Sequence, residues 1–373
     1  MSDHQLVLRG GEAIDPASGL RGSFDVGFAG DRVTAIEAGL AGDETVDVSG
    51  CLVVPGLVDL HSHIFDGLGD GVPTDRFCLP RGTTTAVDGG SAGYRSFRAF
   101  KQIVSGNRTR TLSWLNLSSV GQIDTRVGEL MMAQWIDIDG AVRMAEAHRD
   151  TIVGFKARLS TYVCGGSCLP ALRAIREAGE RAGLPFMVHI GDSGESMTEV
   201  LPLLRPGDVV THMMTGRKHG LLGADDKVLP AVWEARERGV LFDAAHGRNH
   251  VTFPIVEALV DQGFLPDSLA TDITAVTGAN PDFGMPLMMT KLLSFGVPIE
   301  TLIPMATVNP AKALRRDELG RLQVGGIGDA TVLRVVDGPY TFPDVDGRSR
   351  DTNQRIVAVG VVRAGTWIPS GDA

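Results

Sequence analysis

No stretch of this chain approaches the roughly 18 consecutive apolar residues that a membrane-spanning helix requires. Positive charge is also short. The 35 Lys and Arg residues face 45 Asp and Glu, a formal net charge of -10. That balance argues against a nucleic-acid backbone or an anionic membrane as partner. The start, Met1-Ser2-Asp3-His4-Gln5, lacks the basic segment and following apolar run of a signal peptide. Cysteine is scarce as well, with Cys51, Cys78, Cys164 and Cys168, and Cys164-x-x-x-Cys168 is not the usual metal or redox spacing. A reducing, cytoplasmic setting with structural thiols is therefore expected. Finally, no Gly-x-Gly-x-x-Gly follows an early strand, which disfavours an open dinucleotide-binding sheet.

What is present suits a large buried core. The 373 residues are 43% hydrophobic and 21% charged, enough for one large domain and a smaller one. Glycine, at 47 residues, is nearly twice the ordinary share of roughly 7% and is spread through short turns. Many tight junctions between strands and helices are implied.

The two ends are β-rich. Leu6–Arg9, Asp25–Phe28, Arg32–Ile36 and a strand into Val53 alternate with Gly and Asp turns, and Ala330–Val336 and Ile356–Val362 have the same texture. Residues 1–55 and 318–373 are expected to meet in one small β-sandwich domain. Between them, short apolar strands are predicted at about 57–61, 83–87, 111–117, 151–155, 185–189, 208–212, 240–244 and 268–272. Amphipathic helices are predicted over 170–182, 227–238 and 253–262, with Asn309-Pro310 capping a helix over 311–314. Eight strands within residues 56–317 predict an α/β fold, a (β/α)8 barrel with its site at the C-terminal strand ends.

Those strand ends carry polar groups. The first strand, after Pro55-Gly56, ends in His61-Ser62-His63, whose i, i+2 spacing puts both imidazoles on one face. The fourth runs into Lys156, the fifth ends in His189, the sixth in His212 and the eighth in Asp272. Singly, each such residue is more often a capped, hydrogen-bonded or exposed side chain than a ligand. Six at one mouth of one barrel form a set of N and O donors suited to zinc or a similar divalent ion.

With these residues in view, nearly the whole chain resembles the amidohydrolase superfamily of metal-dependent hydrolases. The likeness rests on Pro55-Gly56-Leu57-Val58-Asp59-Leu60-His61-Ser62-His63, on the barrel donors, on Thr307–Leu314, and on the Gly320 to Ala330 stretch. It implies two divalent metal ions. His61 and His63 would bind one and His189 and His212 the other. Lys156, carboxylated by carbon dioxide, would bridge them, and Asp272 would bind the first metal and act as general base and acid. A lysine ammonium has no lone pair, so it can serve there only as the carbamate. The implied reaction is hydrolysis of an amide or ester carbonyl.

Dihydroorotases resemble this layout but usually carry arginine two residues after the second histidine, where this chain has Phe65. The segments 61–67, 88–93 and 242–247 are more similar to the dihydroorotase-like deacetylase branch. That likeness implies a small acylated carboxylic acid as substrate, such as an N-acyl amino acid or a 2-acyloxy acid. A cyclic amidase is the alternative, and a barrel scaffold without metals the remote one. Candidate substrate contacts are Ser91 and Ala92, whose loop offers backbone N–H groups to a carboxylate, together with Tyr94, Arg158 as a carboxylate fork, and His246. His148, His219 and His250 have no assigned role, and self-association is left open.

Overall fold

The barrel forms from eight short segments buried on both faces, the pattern of parallel strands covered on each side. In the computed structural model, which describes residues 3–124 and 126–371, these are Leu57–Ser62, Thr83–Asp88, Arg110–Asn116, Ile152–Arg158, Phe186–His189, Val209–Thr211, Leu241–Ala245 and Ser268–Ala270. They pair in parallel, in chain order, as one eight-stranded sheet. One buried cluster packs together a residue from each strand, among them Leu60, Val87, Trp114, Val153, Met187 and Val209. This is the barrel interior, a packed core and not a pore.

The seam between the last and first strands closes at the C-terminal mouth. The Asp272 N–H donates to the His61 carbonyl at 2.6 Å and the His63 N–H to that of Ile273 at 2.9 Å. Asp59 reinforces the seam, accepting from the Thr271 hydroxyl at 2.5 Å and the Thr271 N–H at 3.0 Å. The bonds that close the barrel are therefore made by the predicted metal-binding residues and their neighbours.

Both termini supply two further sheets. A four-stranded sheet joins Arg32–Glu37, Asp25–Ala29, Leu6–Arg9 and Glu44–Asp47, in that order. A six-stranded one joins Thr366–Pro369, Ser349–Arg363, Ala330–Pro343, Leu52–Pro55, Glu12–Asp15 and Leu20–Ser23. Leu8, Val26, Phe28, Val53, Val332 and Val362 pack in a single cluster drawn from both, the inner layer of a β-sandwich.

Two expectations need correction. The C-terminal strands run to Pro343 and Ser349, well past Val336 and Ile356, because Gly338-Pro339 is absorbed as a register shift and not a turn. The true turn is built on Asp344, which accepts from the Arg348 and Asp346 N–H groups. The last helix of the barrel region spans Val308–Ala313 with Thr307 at its N-cap, so Asn309 lies inside it and its side-chain amide donates to Asp267 O at 3.0 Å. Among the described residues all four cysteines are thiols, and no helix is long and apolar enough to cross a membrane.

Candidate active site

Six predicted ligand positions converge at the barrel mouth. His63 Nε2 lies 3.1 Å and His61 Nε2 3.5 Å from Asp272 Oδ1, while His212 Nε2 lies 4.0 Å from Asp272 Oδ2. Lys156 Nζ is 2.9 Å from His61 Nε2. His189 stacks edge-on to His212 with ring centroids 4.3 Å apart. Two of the six adopt left-handed backbone conformations rare for side-chain-bearing residues, Asp272 at φ 50° and His212 at φ 72°. Such strain clusters at functional sites, where the surrounding structure holds it in place.

The other ring nitrogen of three histidines is already committed. Thr211 gives its hydroxyl proton to Asp243 Oδ2 at 2.7 Å, so its oxygen receives the His61 Nδ1 proton at 3.0 Å. His212 Nδ1 donates to the Ala245 carbonyl at 3.0 Å, and His63 Nδ1 lies 2.8 Å from the Ser91 hydroxyl. The Nε2 atoms of His61 and His212 are thus turned as acceptors toward the common space, while His63 Nε2 faces Asp272 Oδ1. Burial pushes His61, His189 and His212 well below the usual imidazole range, keeping them neutral. His212 Nε2 is buried with no hydrogen-bond partner among the described residues. A buried orphan lone pair facing a carboxylate and further imidazoles fits a divalent cation.

Lys156 is completely buried, and that burial pushes its ammonium down to about 7. A neutral amine is the form that combines with carbon dioxide. Burial works to raise Asp272, but His61, His63 and His212 hold it well below the usual carboxylate range, so it is ionised. Two glycines make room for this packing. A side chain at Gly89 would strike the His61 ring, and one at Gly247, where φ is +53°, would strike Asp272 Oδ2.

Thr211 offers a local test. Thr211→Val keeps the shape but removes the acceptor for His61 Nδ1. Metal affinity is expected to fall ~10–100-fold, the usual cost of losing an outer hydrogen-bond partner. Competition with a chromophoric chelator reads this directly, and an unchanged affinity contradicts the arrangement.

The predicted substrate contacts are placed differently. Ser91 bonds to His63, and its N–H, like that of Gly90, is taken by Asp88 Oδ2 at 2.7 and 3.1 Å, so this loop does not present those groups to a carboxylate. Ala92 is fully buried, and Tyr94 turns its hydroxyl to Asp137 at 2.8 Å. His246 is buried behind the mouth, 2.6 Å from Lys291 Nζ. Arg158 does line the cleft, but its fork is occupied by Glu129, at 2.8 Å from Nε and 2.5 Å from Nη2. Both partners are buried, so Glu129→Ala strands a charge and is expected to cost about 3–5 kcal/mol of stability. Denaturant titration measures it, and a loss below ~1 kcal/mol on the same scale would argue against a dry pair.

Sequence reasoning missed His250. Its ring stacks on His212 at 3.9 Å, and with His189 and His212 it forms a second cluster whose donor atoms lie within 4.8 Å, beside the cluster of His61, His212 and Asp272. The same segment brings Arg248 and Asn249 to the cleft, where Gln122 and Tyr162 complete the wall. His148 and His219 bond to Lys101 and to the Ser193 carbonyl.

The chain is similar to known proteins in both sequence and fold. The profile of the Amidohydrolase family matches residues 52–367. A deacetylase of Agrobacterium fabrum, Atu3266, is 31% identical over 360 residues, covering 93% of this chain and 88% of that protein. The crystal structure of a dihydroorotase superposes with a TM-score of 0.90 at 30% identity, covering 98% of this chain and 99% of that one. That of an adenine deaminase does so with a TM-score of 0.91 at 25% identity, covering 98% and 100%.

Proposed function

The chain belongs to the amidohydrolase family and is a metal-dependent hydrolase; we propose that it removes the acyl group from a small open-chain carboxylic acid, an N-acyl amino acid or a 2-acyloxy acid. The observation that carries this reading is the convergence of imidazole nitrogens, the buried Lys156 amine and an ionised Asp272 at the barrel mouth, with His212 Nε2 left without a partner among the described residues.

On this reading His61, His63 and Asp272 would hold one divalent ion, zinc by donor type, and His189 and His212 would hold the other. Lys156, as N6-carboxylysine, would supply the anionic oxygens shared between them. Its neutral amine would add to carbon dioxide, an N–C bond forming as one C=O π bond opens onto oxygen and one N–H proton passes to solvent. Bound ions polarise a carbonyl and lower the pKa of water. The rest falls to the chain. Asp272 takes the proton of the attacking water and returns it to the leaving amine or alkoxide. Tyr162 accepts from Arg158 Nη1 at 3.4 Å, which leaves its own hydroxyl proton for the substrate.

Arg248 is the cation for the substrate carboxylate. It is half exposed in the cleft wall and only loosely paired, its Nη1 3.8 Å from Asp70 Oδ2. Losing that charge-assisted contact in Arg248→Met is expected to raise KM about 10–100-fold with kcat nearly unchanged. A KM that does not move removes Arg248 from recognition.

The name of the Agrobacterium relative supports deacylation, and the likeness to a dihydroorotase favours ring opening as the second reading. Phe65, where dihydroorotases usually carry arginine, is buried against Phe100 at 5.5 Å and brings no charge to the cleft. Proton release by zinc- and bicarbonate-treated protein separates the two. The panel holds N-acyl amino acids of both hands, O-acetyl hydroxy acids, dihydroorotate, hydantoins and adenine. Turnover of the open-chain acids alone is expected, and turnover confined to the rings overturns the proposal.

A further inference from the structure

We propose that the seam between the terminal β-hairpin and the helix Met285–Leu293 is a second binding site, for a small acid with an apolar body. A cavity of about 170 Å³ lies there, and it shares no lining residue with the catalytic cleft. An engineered cavity of about 150 Å³ holds benzene, so the space suits a ligand of benzoate size. Pro286, Leu287, Tyr340 and Ile356 give it apolar walls, and Arg81 and Arg355 bring two guanidinium groups.

Neither arginine has an ion-pair partner among the described residues. Arg81 donates from Nε and Nη2 to the carbonyls of Pro281, Gly278 and Asn280, while its Nη1 is buried with no acceptor. Arg355 lies over the Tyr340 ring at 4.8 Å, and its Nε is likewise buried with no acceptor. The Ser370 hydroxyl, on the same wall, is a third buried group with no partner. Asp282 is the one acidic residue of the lining, exposed and not paired to either arginine. Three orphaned polar groups with a net positive charge, walled by apolar side chains, call for an acceptor that the described residues do not supply. A carboxylate meets the arginine fork, and an apolar ring fills the remainder.

The site adjoins the catalytic barrel through one helix. Thr290, in the cavity wall, accepts the Ile356 N–H at 2.9 Å. Its neighbour Lys291 donates to the Pro343 carbonyl at 2.9 Å and contacts His246.

Calorimetric titration of the zinc-loaded full chain with benzoate, benzamide and phenyl phosphate tests the proposal. Benzoate is expected to bind and its neutral isostere benzamide not to. A phenyl phosphate signal exceeding that of benzoate assigns the site to a phosphate instead and overturns the carboxylate. Arg355→Leu is expected to weaken benzoate at least ~10-fold, as loss of a charge-assisted bond does. Arg355→Lys, which keeps charge but not the fork, should fall between, and the hydrolysis rate without benzoate should hold in both. Three outcomes refute the site: no heat with any ligand, equal binding of benzamide, or benzoate binding that survives Arg355→Leu and falls in Arg248→Met. The last result would place benzoate in the catalytic cleft.

Discussion

Asp272→Asn is expected to lower kcat by ~10²–10⁴-fold, the range that a positioned proton acceptor contributes. The substitution keeps size and one ligating oxygen, so its effect falls on proton transfer. Asp272 is suited to that transfer because it is ionised, with His61, His63 and His212 gathered around it. Its backbone is fixed by the N–H bond to the His61 carbonyl that closes the barrel seam. The amide of asparagine accepts no proton at neutral pH. Metal content, measured beside kcat, keeps the two roles apart. A metal-replete variant with unchanged kcat would remove Asp272 from proton transfer.

Lys156→Ala is expected to have the second large effect, on metal retention itself. The lysine is buried with its Nζ between His61 Nε2 and Met187 Sδ, at 2.9 and 3.5 Å. On the proposed reading, alanine would leave the imidazoles without the carboxylated lysine that would bridge the metals. The loss should exceed the ~10–100-fold typical of outer partners, and hydrolysis should fall with it. Metal analysis after gel filtration reads the result. A variant that keeps a full complement of metal excludes carboxylated Lys156 as the bridge.

The barrel was legible because parallel strands buried on both faces leave nearly continuous apolar runs in the sequence. Val153 to Phe155 and Phe186 to Val188 are such runs, and each is followed by a polar residue that faces the mouth. The His61-Ser62-His63 spacing was legible for the same reason, since a strand sends alternate residues to one side. Where the reading failed, the information lay in tertiary contacts. His250 sits in an irregular loop with no periodicity, and only the fold carries it onto His212. Arg158 was two residues past Lys156, but Glu129, from a separate loop, had already taken its fork. Ser91 and Gly90 N–H groups were claimed by Asp88, a contact within four residues that an Asp-Gly-Gly-Ser stretch allows without demanding. The long C-terminal hairpin was cut short because Gly338-Pro339 has the composition of a turn while lying inside the strand Ala330–Pro343.

Hydrolysis is proposed to depend on metal held by His61, His63, Lys156, His189, His212 and Asp272. The most direct measurement follows the hydrolysis rate of the best open-chain acyl acid as zinc is added stepwise to chelator-stripped protein in bicarbonate. Almost no rate is expected without metal, with a rise to a plateau at about two equivalents per chain, the count of a binuclear site. A full rate in the stripped protein, or a plateau reached with Asp272→Asn and Lys156→Ala as readily as with the native chain, would contradict that proposal.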